Sequence, residues 1–569
     1  MSSLDLVVLF GTLAFIVAYG VYRTRGNKDI EGYLRGDNSM KWWTIGLSVM
    51  ATQASAITFL STPGQGYESG MAFVQNYFGL PLALIIVSAV FIPLYYRLRV
   101  YTAYEYLEQR FDLPTRLLGA FLFLVQRGLA AGLTIYAPAI ILSTILQWNL
   151  TFTILLVGLA VIIYTVSGGT KAVSVTQKWQ MAVIMGGMFA AFYLVIDYLP
   201  DGVGFNEALH VAGKMGKLEA VDFSFDPNKR YTIWTGLLGG TFLALSYFGT
   251  DQSQVSRYLN GRNVTESRMG LMFNAVLKVP MQFFILLCGV MVFVFYQFQE
   301  PPMYFKQHDL AALQQNEVYG DSVAMAQEQY SQIFTDKRAE IFSMLDAMEQ
   351  ENDVAVDAHA ANLIRYDTLS KNIRGEVSDY LVAANPGYEP KDTDYVFITF
   401  VLEYLPEGIV GLLLAVIFSA AMSSTSSELN ALASTTTVDF YKRLVKKDGS
   451  DRHYLNVSRI ITGLWGLMAI LFALLANLVE NLIEAINILG SLFYGTVLGI
   501  FIVAFFFRFV KGRATFIAGI IAQITVLALY FSIDISYLWY NVIGAGLVVV
   551  IAIAFDSLQK LGSSRLSTN

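Results

Sequence analysis

The stretch WWTIGLSVMATQASAITFLSTPGQGYESGMAFVQNYF, Trp42 to Phe78, is apolar enough to lie in a bilayer, yet it carries Ser61-Thr62-Pro63-Gly64-Gln65-Gly66. Proline removes a backbone donor, glycine loosens the helix, and lipid offers nothing to bond the freed carbonyls. Such a break has to line a cavity or be covered by protein. Two readings stand: a simple proline kink, common in membrane helices, or an unwound segment whose carbonyls coordinate a cation and whose following half-helix turns its N-terminus to an anionic group.

The rest of the chain reads the same way. Its 569 residues are 55% hydrophobic and only 14% charged, and the mean hydropathy of +0.51 lies outside the soluble globular range. Apolar runs long enough to cross a bilayer recur throughout, near 4–22, 42–78, 79–98, 117–146, 152–166, 177–198, 231–257, 268–298, 408–438, 455–478, 484–508, 513–532 and 537–555. The fold class is therefore an all-α polytopic membrane protein with about 13 transmembrane helices. The first run has an acidic residue and no basic n-region, so it is expected to be retained and not cleaved. The single Cys288 excludes an intramolecular disulfide framework, and no Cys/His cluster has metal-ligand spacing. His210, His308, His359 and His453 fall in loops or at helix ends, which leaves no histidine proton relay inside the membrane. The net charge of −6 reflects an acidic loop, and no nucleic-acid partner is expected.

Basic residues cluster in alternate loops: Arg23, Arg25, Lys28 and Arg35; Arg97, Arg99 and Arg116; Lys171 and Lys178; Arg257, Arg262 and Arg268. Lys442, Arg443, Lys446 and Lys447, then Arg508, Lys511 and Arg513, then Lys560 and Arg565 continue the series. The positive-inside rule makes these loops cytoplasmic, with the N-terminus outside and the C-terminus inside a cell membrane. The one long hydrophilic region, 300–395, then lies outside. It has helical spacing in pieces such as Lys337 to Met348 and no phosphate loop, metal cluster or nucleophile motif, so a separate solvated helical block is expected.

Two further features concern chemistry inside the membrane. The helix from Gly408 to Tyr441 carries Ser419-Ala420-Ala421-Met422-Ser423-Ser424-Thr425-Ser426-Ser427, and Ser423, Ser426, Ser427 and Asn430 share a face. A row of hydroxyl oxygens suits a hard monovalent cation, and it equally suits close packing of small residues. Ionisable residues within spans are few: Arg127, Lys278, Glu428 and Glu484, with Asp251 near a helix end. Each is a site candidate because an unpaired charge in hydrocarbon is costly. For Arg127 the plain alternative is an ion pair, with Glu484 as the expected partner.

Four motifs carry a family resemblance: Ser55-Ala56-Ile57-Thr58-Phe59, Tyr136-Ala137-Pro138-Ala139, Gly168-Gly169-Thr170-Lys171-Ala172-Val173, and Ser423-Ser424 followed by Leu429-Asn430. With them the chain resembles the sodium:solute symporter family of sodium/galactose, sialic acid, iodide, multivitamin and monocarboxylate transporters. The resemblance implies a leucine-transporter-like five-plus-five inverted repeat. Its parts would be a leading helix and loop (1–41), a first repeat (42–198), a loop (199–230), a second repeat (231–508) interrupted by the insertion (300–395), and two added helices with a tail (509–569).

Residue by residue, the resemblance implies a sodium site of backbone carbonyls from Ala51, Ala54 and Ala420 and hydroxyls of Ser423 and Ser424. A second sodium position used by some members matches Ser426, Ser427 and Gln177, where those members have an aspartate in place of Gln177. Glu428 is a candidate to supply the missing charge, although on a regular helix it points off the serine face. Solute contacts match Ser55, Thr58, Tyr77, Arg127, Tyr247 and Lys278. At Tyr77 the galactose and sialic acid patterns have glutamine, so neither substrate carries over directly.

The expected activity is sodium-coupled symport of a small organic solute by alternating access, with sodium the only metal ion and no enzymatic step. Arg127 favours a carboxylate or acidic sugar as the solute. A neutral sugar or polyol is the alternative, and a membrane sensor built on the insertion is an alternative of another class. A primary pump lacks its nucleotide motif, and a channel fits the localised polar sites less well than alternating access does.

Overall fold

The computed structural model describes residues 2–24, 40–146, 148–386, 388, 390–476 and 482–566. Arg25, Lys28 and Arg35 lie outside the described residues, as do the side chains of Arg23, Lys178, Arg565 and the whole Gly168 to Val173 motif.

The first helix, α1 (Ser3–Thr24), precedes a pair that is one helix interrupted: α2 (Trp42–Gln53) and α3 (Ala56–Ser69). The interruption is at Ala54 (φ −87°, ψ 75°) and Ser55 (φ −79°, ψ 173°), where the last helical N–H, that of Ala54, bonds to Met50. This corrects the expectation drawn from Pro63, Gly64 and Gly66, which lie inside α3. Those glycines serve close approach. A Cβ on Gly64 would stand 2.1 Å from the Thr393 carbonyl oxygen, and one on Gly66 would stand 2.4 Å from that of Leu286.

The helices α4 (Leu113–Leu146) and α5 (Leu150–Asp197) follow. A straight α5 of 48 residues would run about 72 Å, twice what a bilayer needs. Its two parts have different neighbours, Gly158 packing on Ile470 and Gly187 on Leu413, and its apolar runs are Leu150–Ile163 and Trp179–Asp197. The expected spans 152–166 and 177–198 fall on these two runs.

A second interrupted helix follows, α6 (Gly240–Gly249) and α7 (Gln252–Leu259), with the break at Thr250 and Asp251. Beyond it come α8 (Val264–Phe298), the insertion helices α9 (Gly320–Glu349) and α10 (Asp353–Ala384), and α11 (Ile409–Thr435). The chain ends in α12 (Asp451–Leu474), α13 (Leu482–Phe506), α14 (Gly512–Ser532) and α15 (Leu538–Leu566).

Among the described residues nine helices are long and apolar enough to cross a membrane, and Ser3–Phe15 and Leu150–Ile163 are shorter apolar runs. The difference from the expected 13 lies in those two runs, in the broken α6–α7, and in Ala56–Leu98, a single candidate span where two were expected.

The insertion is not the separate block its composition suggested. The α9–α10 hairpin buries Ile341, Met344 and Leu363 in the same apolar cluster as the membrane helices, and the Phe342 ring lies tilted against Phe298 at 5.5 Å. At the other end of the chain the buried Asp5 of α1 accepts the Gly408 and Gly411 N–H groups at 2.7 and 3.0 Å, satisfying the N-terminus of α11.

Candidate functional site

The break after α2 strands the carbonyls that follow Met50, because no further turn of helix reaches back to bond them. α11 packs directly on α2 and α3 here. Ala51, Ala54, Ala420, Ser423 and Ser424 are all buried. Ser424 donates its hydroxyl to the Ala420 carbonyl at 3.0 Å. A seam of carbonyl and hydroxyl oxygens without a carboxylate is chemistry for a monovalent cation.

Gln177, in the second half of α5, reaches into the same seam. Its side-chain nitrogen donates to Thr52 at 3.0 Å, Ser423 at 2.8 Å and Ser427 at 3.5 Å, while Ser48 donates to its oxygen at 2.5 Å. The group expected to offer an oxygen to the serines thus offers them its donors. Ser426 is fully buried, and its hydroxyl has no hydrogen-bond partner among the described residues.

Beside the first break lies a cavity of about 90 Å³. Ser55, Thr58, Tyr77, Arg127 and Tyr247 line it, which brings five of the six expected solute contacts together. Lys278 does not line it: its ammonium sits 5.7 Å over the Tyr77 ring, behind the wall. Sequence reasoning missed Gln53, Asn76, Asn487 and Tyr494 in the lining. Asn487 and Tyr494 are seven apart and share one face of α13, so polar periodicity within that span was the available signal.

Arg127 is not a free fork. It pairs with Asp251 and, at 3.0 Å, with Glu428, and donates to the Tyr494 hydroxyl at 2.6 Å. Tyr494 in turn donates to Asp251 at 3.0 Å, and Thr134 donates to Glu428 at 2.9 Å. The Tyr247 ring covers the guanidinium at 5.4 Å. The expected partner Glu484 bonds instead to Arg230 at 2.7 Å and to Tyr231. The role suggested for Glu428 at a second cation site is corrected as well, since it faces Arg127 and Thr134. The cluster holds one cation and two carboxylates, all buried.

The two breaks differ at their half-helix N-termini. Asp251 caps α7, its carboxylate accepting from the Ser253 N–H at 2.8 Å and the Ser253 hydroxyl at 2.6 Å. Ser55 makes no side-chain cap on α3; the Thr58 N–H bonds to the Ser55 carbonyl at 3.0 Å, and Ser55 and Thr58 line the cavity. An uncapped helix N-terminus favours an anion.

The family model that matches this chain is the sodium:solute symporter family, over residues 33–315 and 373–522, which leaves the middle of the insertion outside the match. The chain is 27% identical over 560 residues to the sodium/sialic acid symporter of Proteus mirabilis (strain HI4320), covering 96% of this chain and 93% of that one. It is 33% identical over 280 residues to the human sodium/iodide cotransporter, 48% of this chain and 42% of the relative. The mouse sodium-coupled monocarboxylate transporter 1 is 28% identical over 503 residues, 87% of this chain and 68% of that one. In fold, the chain matches a solved Na+-coupled sialic acid symporter in a substrate-bound outward-open state, with a TM-score of 0.74, 24% identity and 98% of both chains covered. The architecture is thus the all-α, leucine-transporter-like one, and the relatives are transporters, not enzymes. By its family match over most of its length, the chain belongs to the sodium:solute symporter family.

Proposed function

We propose that the protein imports a small carboxylate together with sodium by alternating access. The observation that carries the carboxylate is the uncapped N-terminus of α3, with Ser55 and Thr58 beside it, opening on the central cavity. The carboxylate sits on these two hydroxyls, at the positive end of the α3 dipole. Arg127 acts as a brace held by Asp251 and Glu428, and its field reaches the cavity without a direct two-point contact. The small cavity volume favours a short-chain acid over a bulky acidic sugar. The named relatives carry sialic acid, iodide and monocarboxylates, and anions are common to all three.

Sodium binds between the carbonyls of Ala51, Ala54 and Ala420 and the hydroxyls of Ser423 and Ser424. It holds the break in the shape that presents α3 to the solute. Each ligand then raises the affinity of the other by the same factor, a coupling typically worth about 1 to 3 kcal/mol. Residues 42–198 and 231–508 form the two repeats, and their first helices are the two broken ones. Tyr247, over Arg127, moves aside for inward release. The Gln177 amide holds the second sodium position with its donors, so one sodium accompanies one solute.

The insertion faces outside. Arg116 and Arg443 gather at the opposite end of the bundle, where Glu108 bonds to both, and that clustering supports a cytoplasmic assignment. A neutral solute is the second reading, favoured by the neutralisation of Arg127 within its own cluster. Competition of unlabelled short carboxylates, acidic sugars, neutral sugars and polyols against uptake separates the two. Carboxylates compete best, and Thr58→Val weakens them most. Strongest competition by a neutral sugar overturns the carboxylate reading and leaves sodium symport intact.

A further inference from the structure

A second cavity, of about 260 Å³, lies between the insertion and the ends of α3 and α8. Five cationic side chains line it, Lys217, Lys337, Lys371, Arg374 and Lys391, against three carboxylates, Glu68, Asp367 and Asp392. The carboxylates are already engaged. Asp367 is shared by Lys337 at 3.0 Å and Lys371 at 2.8 Å. Asp392 takes Arg374 at 2.8 Å and the Phe305 N–H at 2.7 Å, and Glu68 accepts the Thr393 hydroxyl.

Lys217 has no carboxylate partner among the described residues. It is 7% exposed, its ammonium donates to the Glu68 backbone carbonyl at 2.6 Å, and it lies 4.4 Å over the Phe293 ring. An ammonium has three donors, so Lys217 keeps donors for a further acceptor. A buried cation without a counter-ion is costly, and a bound anion removes that cost. Much of the remaining wall is aromatic, with Phe293, Tyr296 and Tyr330 among its residues.

We propose that this cavity is an outer binding site for a small organic carboxylate, with the carboxyl group on Lys217 and Lys337 and the apolar body against Phe293, Tyr296 and Tyr330. Burial, and then the neighbouring Lys371, lower the Lys217 ammonium to about 8, as expected of a cation awaiting an anion. Occupancy ties the insertion to the half-helix that carries the inner site, because Lys217 also holds the end of α3. Its carbonyl accepts the Met71 N–H at 2.9 Å, and its ammonium grips Glu68. The inference stands apart from which solute is carried.

The test is isothermal titration of the full-length protein in nanodiscs with benzoate, in sodium-free choline buffer, with inorganic phosphate as a second probe. Benzoate binds, and Lys217→Gln weakens it about tenfold, the loss of one charge-assisted contact. The exposed Lys371→Gln weakens it several-fold, which keeps the test open if Lys217→Gln does not fold. Thr58→Val, at the central cavity, leaves it unchanged. No benzoate binding, binding that survives both lysine variants, or binding lost in Thr58→Val overturns the proposal. Phosphate binding more tightly than benzoate overturns the assigned ligand class.

Discussion

Replacing Arg127 by glutamine separates a structural brace from a solute contact. The side chains of Asp251 and Glu428 are 0% and 6% exposed, and both lie on the guanidinium. Without Arg127 two carboxylates face each other away from water, and breaking a buried pair in this way costs about 3–5 kcal/mol. That is a large part of the 5–15 kcal/mol by which a typical domain is stable. Glu428→Gln removes the excess charge instead. Its carbonyl still accepts from Arg127 and its amide can donate to the Thr134 oxygen, so its effect stays within about 1 kcal/mol. The double variant Arg127→Gln/Glu428→Gln therefore recovers part of the loss. Thermal unfolding of detergent-purified protein, with membrane insertion scored separately, reads all three. An Arg127→Gln protein with wild-type unfolding and only a raised KM refutes the brace, and Arg127 is then a direct solute contact.

Ser423→Ala removes an oxygen from the cation seam and a partner of Gln177, so uptake loses at least about tenfold in apparent sodium affinity; unchanged sodium dependence in inserted protein contradicts the site. Gln177→Asp places a carboxylate among Ser48, Thr52, Ser423 and Ser427, and a second sodium enters. Transport of a monocarboxylate, electroneutral in the wild type, becomes electrogenic in voltage-clamp recordings, and absence of current counts against the amide's role. In the insertion, Asp367 is driven up by burial, but Lys337 and Lys371 overcome this and hold it at about 2 against an ordinary 3.8. Its folded pKa is depressed, so its contribution, roughly 2 kcal/mol, is present above about pH 4 and lost as pH falls towards 2. Hydrogen-exchange protection factors in α9 and α10, corrected for the intrinsic rate, fall over that window, and Asp367→Asn removes the dependence.

Much of this was written in local sequence. Apolar run length sets the helices, and the serine-rich run of α11, whose spacing gave only a shared face, packs on the two halves of the first broken helix. Helical geometry also put Glu428 off the serine face, and the structure turns it to Arg127. The position of the break was misread because Pro63, Gly64 and Gly66 carry the usual signals of interruption. They mark instead where the α3 backbone touches α8 and Thr393, a requirement set by neighbours far away in the chain. The true break at Ala54 and Ser55 contains neither proline nor glycine, and its local sign is a serine at the N-cap. The partners of Arg127 lie 124 and 301 residues away in sequence, beyond any periodic signal. The insertion's composition hid an apolar stripe, Ile341 and Met344 with Leu363, which only the packing of α8 explains.

The central claim is tested most directly by uptake of a radiolabelled short-chain monocarboxylate into proteoliposomes holding the purified protein alone, with an inward sodium gradient or with choline in its place. The account predicts accumulation above equilibrium with sodium, collapse of that accumulation when the gradient is dissipated, and only background entry in choline. Equal uptake in sodium and choline, in vesicles where the protein is correctly inserted, contradicts it.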